Sequence, residues 1–359
     1  MIKVAILGAT GVVGQQFVAV LNEHSWFEIE KLLTSVKSAG KRYDEALRNS
    51  QTGTLEWFCD SPLQSSIAQM VTEDSSRFDP SSVDLVFSAV ESEQARSLEP
   101  NYAEHTPVVS TASAFRYEQD VPILIPGINN QHLDALEIQQ ERRGWQGFIV
   151  PIPNCTTTGL VISLKPLHDD YQVEAVVMTS MQAVSGAGRS SGVLALDITD
   201  NIIPFIRGEE EKVETETCKI LGGFQGAFTP ANIRVSCTCT RVDVSDGHTE
   251  AVYVKTKENC SIEDAKKSMR RFSRSLADLG LPSAPSELLL VHEDPYRPQP
   301  RLDRDTNGGM TTVVGRLRED KVLGGVKYVL VSHNTKMGAA KGAVLVAELL
   351  HRKGLLKRR

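Results

Sequence analysis

The chain has 359 residues, enough for roughly two domains, and its 41% hydrophobic and 23% charged content is that of an ordinary globular protein. A formal net charge of −6 argues against a nucleic-acid or anionic-membrane surface as the main partner, and no apolar run approaches the ~20 residues of a membrane span. Six cysteines (Cys59, Cys155, Cys218, Cys237, Cys239 and Cys260) are scattered along the chain, which suits the reducing cytoplasm better than a disulfide framework.

Ile2 to Leu7 reads as a short apolar strand. It runs into Gly8-Ala9-Thr10-Gly11-Val12-Val13-Gly14 and then a helical run through Phe17, Val18, Val20 and Leu21. Strand, glycine turn and helix in that order is a dinucleotide-binding opening, because glycines let the backbone approach a pyrophosphate at a helix N-terminus. A tight turn without ligand is the other reading. A second strand over Ile29 to Thr34 ends at Ser35. An NAD site places an acidic residue about 20 residues past the glycines to hold the ribose hydroxyl. Here stand Ser35, Lys37, Ser38, Lys41 and Arg42, which favour a 2′-phosphate and hence NADP. Val83–Val90, Val108–Thr111 and Phe148–Ile152 continue as strands, with helices over Glu91–His105 and Asn130–Arg143. The first 154 residues predict a Rossmann-like doubly wound parallel sheet, with binding beyond the C-terminal strand ends.

Pro153-Asn154-Cys155-Thr156-Thr157-Thr158-Gly159 follows, leading into Leu160, Val161, Leu164 and Leu167 at helical spacing. Two readings fit Cys155. It is either a small buried hydrophobe or a nucleophile whose thiolate is favoured by the helix N-terminus. Beyond it, strands are expected at Val173–Gln182, Asn232–Asp243, His248–Lys257, Thr311–Arg318 and Val322–His333. Helices are expected at Asp197–Phe205, Glu209–Leu221, Ile262–Leu279 and Met337–Arg352. That mixture predicts an α+β domain with a mixed or antiparallel sheet. The proline-rich stretch from Pro282 to Gly309 reads as an excursion. His248 enters a strand from the turn Asp246-Gly247, and Arg241 lies seven residues before it. A hairpin around that turn puts both on one side. Glu209 and Lys212, three apart at the start of a helix, share a face. Ser185-Gly186-Ala187-Gly188 permits close approach to a flat ligand. Cys237-Thr238-Cys239 reads as strand packing, and no metal site is expected.

The pieces together resemble aspartate-semialdehyde dehydrogenase, in the branch shared by archaea and fungi, over the whole chain. The motifs are G-A-T-G-V-V-G, P-N-C-T-T, M-Q-A-V-S-G-A-G, E-E-E-K with E-T-x-K-I-L behind it, R-V-D-V-S-D-G-H, and S-H-N-T-K-M-G-A-A. The resemblance implies NADPH-dependent reductive dephosphorylation of L-aspartyl 4-phosphate to L-aspartate 4-semialdehyde, on the way to lysine, threonine, methionine and isoleucine. It implies that Cys155 forms a thioacyl enzyme and that His248 is the general acid/base. Gln182 would orient the acyl group, Arg241 would hold the α-carboxylate and Glu209 the amino group. Arg116, Lys212 and Asn154 would hold phosphate. Gly8, Thr10, Gly11, Val12, Val13 and Gly14 with Ser35 and Ser38 would hold NADP, and Ser185, Gly186 and Asn334 would flank its nicotinamide. Residues 1–154 and 335–359 would form the NADP domain and 155–334 the catalytic and dimerisation domain of a homodimer or dimer-based homotetramer. N-acetylglutamyl-phosphate reductase and malonyl-CoA reductase are the neighbouring alternatives, and a non-catalytic redox-sensing Rossmann protein is the alternative of another class.

Overall fold

A computed structural model describes residues 1–188 and 192–357; residues 358 and 359, the end of the segment expected to return to the first domain, lie outside that range. The chain forms two compact units. Unit 1 holds Met1–Pro122, Leu133–Ile152 and Ala343–Arg359, and unit 2 holds Ile123–His132 and Pro153–Gly342.

Unit 1 is built on β1 (Ile2–Leu7), β2 (Phe27–Thr34), β3 (Glu73–Asp74), β4 (Leu85–Ser88), β5 (Val108–Ser110) and β6 (Ile149–Pro151). All pair in parallel in the order β3-β2-β1-β4-β5-β6. Val4, Ile6, Leu85, Val86, Phe87, Val108 and Val109 are fully buried, as expected where a parallel sheet is covered on both faces. The covering helices are α1 (Val12–Leu21), the single turns α2 (Tyr43–Ala46) and α3 (Ser65–Ala68), α4 (Ser92–Ala103) and α5 (Ala135–Arg143). The helix expected from Asn130 begins as a 3-10 turn, Asn130–Asp134. Strand order reverses between β1 and β4, the crevice where open α/β sheets bind ligands.

The glycine turn follows β1 directly. Gly8 sits at φ +80°, and a Cβ on it would come 2.9 Å from the Ala89 carbonyl oxygen. A Cβ on Gly14, in the first turn of α1, would lie 2.2 Å from Gly8 O, so α1 can pack on the turn only if that Cβ is missing. Gly14→Ala is therefore expected to push α1 off the turn, weakening NADP binding and lowering stability by roughly 1–3 kcal/mol. Cofactor titration and thermal melts would read both, and an alanine variant like the parent would remove the close-approach argument.

Unit 2 opens with α6 (Cys155–Tyr171) and β7 (Val173–Gln182), then α7 (Ala195–Ile198), β8 (Ile202–Ile203) and α8 (Glu209–Leu221). A small hairpin, β9 (Gly223–Phe224) and β10 (Phe228–Thr229), precedes β11 (Arg234–Val242) and β12 (His248–Thr256). Then come α9 (Ile262–Phe272), β13 (Leu289–Val291), α10 (Pro300–Asp303), β14 (Thr312–Asp320) and β15 (Gly325–Ser332); α11 (Ala340–Arg352) follows, and from Ala343 on it belongs to unit 1. The large sheet is mixed, in the order β13-β14-β15-β12-β7-β11-β8. β7 pairs in parallel with β11 and antiparallel with β12. Gly159 lets α6 lie on β15, since a Cβ there would come 2.8 Å from Ser332 Cβ.

Four expectations need correction. β11 and β12 do not form a hairpin, because β7 lies between them and Asp243–Gly247 crosses over its end. The helix expected over Asp197–Phe205 stops at Ile198, where Asp200 turns to φ +56° and Pro204 follows. The helix expected over Ile262–Leu279 gives way after Phe272 and resumes as a 3-10 turn at Ala277–Leu279. The Pro282–Gly309 stretch is more than a loop, since its Leu289–Val291 segment joins the sheet edge in parallel with β14.

Candidate active site

Cys155 is the first residue of α6. Its cap is Asn154, whose side-chain oxygen accepts from the N–H groups of Thr156 and Thr157 at 2.9 and 3.2 Å. That bond spends two orphan donors of the first turn and fixes where the helix begins. Asn154 is itself held by α8. Its backbone N–H donates to Glu216 Oε2 at 2.7 Å and its side-chain amide to Glu209 Oε1 at 2.8 Å. Glu209 Oε1 also receives Thr156 Oγ1 at 3.3 Å and Gln182 Nε2 at 3.2 Å. Lys212 Nζ stands 3.8 Å from Glu209 Oε2.

Cys155 Sγ and His248 Nε2 are 3.2 Å apart. His248 is fully buried at the start of β12, and its Nδ1 accepts the backbone N–H of Ala183 at 3.1 Å. Burial, then the nearby Arg241 and His333, pushes its pKa down to about 3, so the imidazole is neutral at physiological pH. Arg241, at the end of β11, donates from Nη1 to the Ala183 carbonyl oxygen at 2.8 Å. One residue, Ala183 just past the end of β7, thus links through its N–H and its C=O the two residues that the crossover places on either side of that strand. Gly186 closes over them, since a Cβ there would meet Arg241 Nη1 at 2.9 Å and His248 Cε1 at 3.1 Å. Burial pushes the Arg241 pKa down, against Cys155 and Glu209, which push it up. Asn334 joins the two loops nearby, donating to Ser185 Oγ and accepting from Gly247 N–H, both at 2.9 Å.

Cys155, His248, Gln182, Arg241, Glu209, Asn154, Lys212, Ser185, Gly186 and Asn334 all belong to unit 2. Arg116 lies in unit 1, buried, where its Nη2 donates to Thr111 O at 2.9 Å beside the buried Glu99 carboxyl. The glycine turn, Ser35 and Ser38 are also in unit 1. Ser35 and Lys37 are exposed after β2, Ser38 N–H turns back onto Ser35 O at 2.9 Å, and Arg42 is engaged by Asp44 at 2.9 Å.

Four residues of this neighbourhood escaped the sequence reading. Glu216 lies seven positions after Glu209, two turns along the same helical face, and both meet Asn154. Gly338 abuts the nucleophile candidate, since a Cβ there would come 2.8 Å from Cys155 Cβ. Ala183 contributes only its peptide. Glu250, two residues along from His248, is fully buried with neither carboxyl oxygen hydrogen-bonded. Burial, then the Glu209 charge, raises its pKa well above the ordinary carboxyl value.

A parallel-sheet unit with a glycine turn, joined in one chain to a unit carrying a half-buried cysteine against a buried histidine, defines a dehydrogenase of the semialdehyde class. Residues 3–136 match the family described as "Semialdehyde dehydrogenase, NAD binding domain" and residues 164–337 the one described as "Semialdehyde dehydrogenase, dimerisation domain". Aspartate-semialdehyde dehydrogenase of Methanothermobacter thermautotrophicus is 46% identical over 98% of this chain and 99% of that protein. The Saccharomyces cerevisiae enzyme is 42% identical over 98% of each. The crystal structure of the Candida albicans enzyme with NADP superposes with a TM-score of 0.88 at 38% identity, covering 99% of this chain and 100% of that one. The chain belongs to the aspartate-semialdehyde dehydrogenase family.

Proposed function

We propose that the chain catalyses the reversible NADPH-dependent reductive dephosphorylation of L-aspartyl 4-phosphate to L-aspartate 4-semialdehyde, through a thioacyl intermediate on Cys155. The observation that carries this reading is Cys155 at the first position of α6, 3.2 Å from His248 and flanked by buried Arg241 and Glu209. The Cys155 thiolate attacks the acyl carbon, the C–S bond forms, and the C–O bond to phosphate breaks. Arg241 grips the α-carboxylate with its planar fork, and Glu209 pairs with the ammonium. Gln182, held by Ser180 and Glu209, orients the acyl group. Lys212 and Asn154 take the departing phosphate, with Arg116 assigned to it on the family resemblance alone. NADPH supplies the hydride that reduces the thioester to the aldehyde.

The glycine turn fits that cofactor. Gly8 at positive φ and the Cβ-free contact of Gly14 with Gly8 O leave backbone bare beside the N-terminus of α1. Ser35 and Ser38, with Lys37 and Lys41 exposed nearby, would hold a 2′-phosphate. Comparing kcat/KM is expected to favour NADP over NAD, and an NAD preference would overturn this reading of the loop after β2. In this proposal unit 1 binds NADP and unit 2 carries the chemistry and the contacts of a homodimer or dimer-based homotetramer. The enzyme serves lysine, threonine, methionine and isoleucine biosynthesis in the cytoplasm, where its six cysteines, none of them in a disulfide, stay reduced.

The deciding assay is phosphate-dependent reduction of NADP with a semialdehyde. Aspartate semialdehyde should be turned over and N-acetylglutamate semialdehyde hardly at all, because Glu209 suits a free ammonium and leaves a neutral acetamide unpaired. Equal rates on the two, or activity on malonyl-CoA instead, would sink the substrate assignment.

A further inference from the structure

One face of α4 grips the loop that carries Arg116. Ser92, Arg96 and Glu99 stand at i, i+4 and i+7 of that helix, on a single stripe. Ser92 Oγ accepts the Ser113 N–H at 3.2 Å and shares a hydrogen bond with Ser113 Oγ at 2.8 Å. Arg96 Nη2 donates to Ala114 O at 2.5 Å, and its guanidinium lies 5.5 Å from the centre of the Phe115 ring. Glu99 is fully buried, and its Oε1 accepts from Ser110 Oγ at 2.5 Å. That bond gives the Ser110 hydroxyl a direction. With its one hydrogen donated to Glu99, the oxygen presents lone pairs, and it accepts the Ala112 N–H at 3.1 Å. Thr111, between those two residues, is held by Ser88 O through its N–H at 3.0 Å and its Oγ1 at 3.1 Å. The carbonyl oxygen of Thr111, so fixed, receives Arg116 Nη2 at 2.9 Å. A buried carboxyl is thus tied to the guanidinium by a run of hydrogen bonds along the loop. Burial pushes the Glu99 pKa up, against the Ser110 and Ser88 hydroxyls and the Arg116 charge. Both forms of a carboxyl keep an oxygen that accepts.

We propose that Glu99 is a positioning residue for phosphate recognition: through Ser110 and the Thr111 carbonyl it sets where the Arg116 guanidinium stands. This rests on the phosphate role proposed above for Arg116 and names the buried group behind it. A guanidinium recognises a phosphate by parallel N–H···O bonds, so the placing of its planar fork decides how well it binds. Glu99 has no exposed surface and cannot meet phosphate itself. Its contribution is the acceptor that orients the Ser110 hydroxyl. A leucine of similar size removes that acceptor and frees the hydroxyl to turn, which loosens the Ala112 N–H and the Thr111 carbonyl beside it. A glutamine keeps the acceptor and drops only the ionisable group. Misplacing a binding group by about 1 Å can cost up to about 10²-fold, and here the loss should fall on one substrate alone.

The test is steady-state kinetics of the full-length protein, oxidising aspartate semialdehyde with NADP at varied phosphate. Glu99→Leu is expected to raise the KM for phosphate about tenfold or more, while the KM values for semialdehyde and NADP stay near those of the parent. Glu99→Gln should restore the parent's phosphate KM. In an Arg116→Ala background, Glu99→Leu should change the phosphate KM no further, because the two act through one group. Four results would each overturn the proposal: an unchanged phosphate KM in Glu99→Leu, a Glu99→Gln enzyme as impaired as the leucine variant, an additive loss on top of Arg116→Ala, or an equal rise in all three KM values. If the leucine variant does not fold, Ser110→Ala breaks the same clamp at its next link and should raise the phosphate KM in the same selective way. Phosphorus-31 NMR titration of inorganic phosphate into the NADP-loaded protein reads the same affinities without turnover. Inactivity on aspartate semialdehyde would therefore sink the proposed reaction, and the clamp would still stand or fall on those titrations.

Discussion

Cys155→Ala is expected to abolish turnover, with a loss on the order of 10⁶-fold, the scale seen when a covalent nucleophile is deleted from an enzyme. The fold should survive, because the residue contributes its thiol and not the cap. Asn154 still accepts from Thr156 and Thr157 and still binds Glu216 and Glu209. Steady-state NADPH formation from aspartate semialdehyde and phosphate measures the loss. Cofactor titration should change little, since the glycine turn belongs to unit 1. A thiol reagent should also find Cys155 ahead of the other five cysteines. Burial raises the pKa of Cys218, lifts Cys59 and Cys239 to about 12 and Cys260 to about 11, and pushes Cys237 higher still. Thiols held protonated react slowly, and substrate should protect Cys155 alone. Alanine-variant rates within tenfold of the parent would end the covalent mechanism.

Arg241→Lys keeps the charge and should still cost roughly 10²-fold or more in kcat/KM, because a buried bidentate contact is worth several kcal/mol and an ammonium cannot reproduce it. The guanidinium has two tasks. Nη1 is committed to Ala183 O at 2.8 Å, and the rest of the fork is left to grip a carboxylate. A lysine that reaches one partner abandons the other. If it keeps the peptide, substrate affinity falls and the loss appears in KM. If it keeps the substrate, the Ala183 peptide loosens beside His248 and kcat falls too. Steady-state kinetics on aspartate semialdehyde separates the two. An indifferent Arg241→Lys enzyme would show that the α-carboxylate binds elsewhere.

Much of this arrangement was legible because it is local. The strand, glycine turn and helix at the N-terminus, and the cap, cysteine and apolar stripe of α6, are each written within about a dozen residues, the scale on which periodicity and capping operate. The site's assembly is not local. Arg241 and His248 are seven residues apart, a spacing that fits a hairpin, and nothing near them announces that β7, some fifty residues upstream in the order of β8 and α8, comes between. β3 has two residues and no pattern to read. Ala183 acts through its peptide, so its side chain carries no signal. Glu250 looks like any alternating strand residue, and only the packing of α6 over β12 makes it a buried acid.

That buried acid and its neighbour tie the folding of unit 2 to proton concentration from two sides. His248 is neutral in the folded chain down to about pH 3, whereas in the unfolded chain it takes up a proton below about 6.5. As pH falls through that interval the unfolded state binds more protons, and stability declines. Glu250 runs the other way. Its folded pKa is raised well above the ordinary value, while the unfolded carboxyl releases its proton near about 4.3. As pH rises from there the folded state is the one holding the extra proton, so stability declines until the folded carboxyl ionises as well. Two side chains on one face of β12, two positions apart, thus place opposing proton linkages on a single strand: unfolding takes up a proton at His248 on the acid side and releases one at Glu250 toward neutrality.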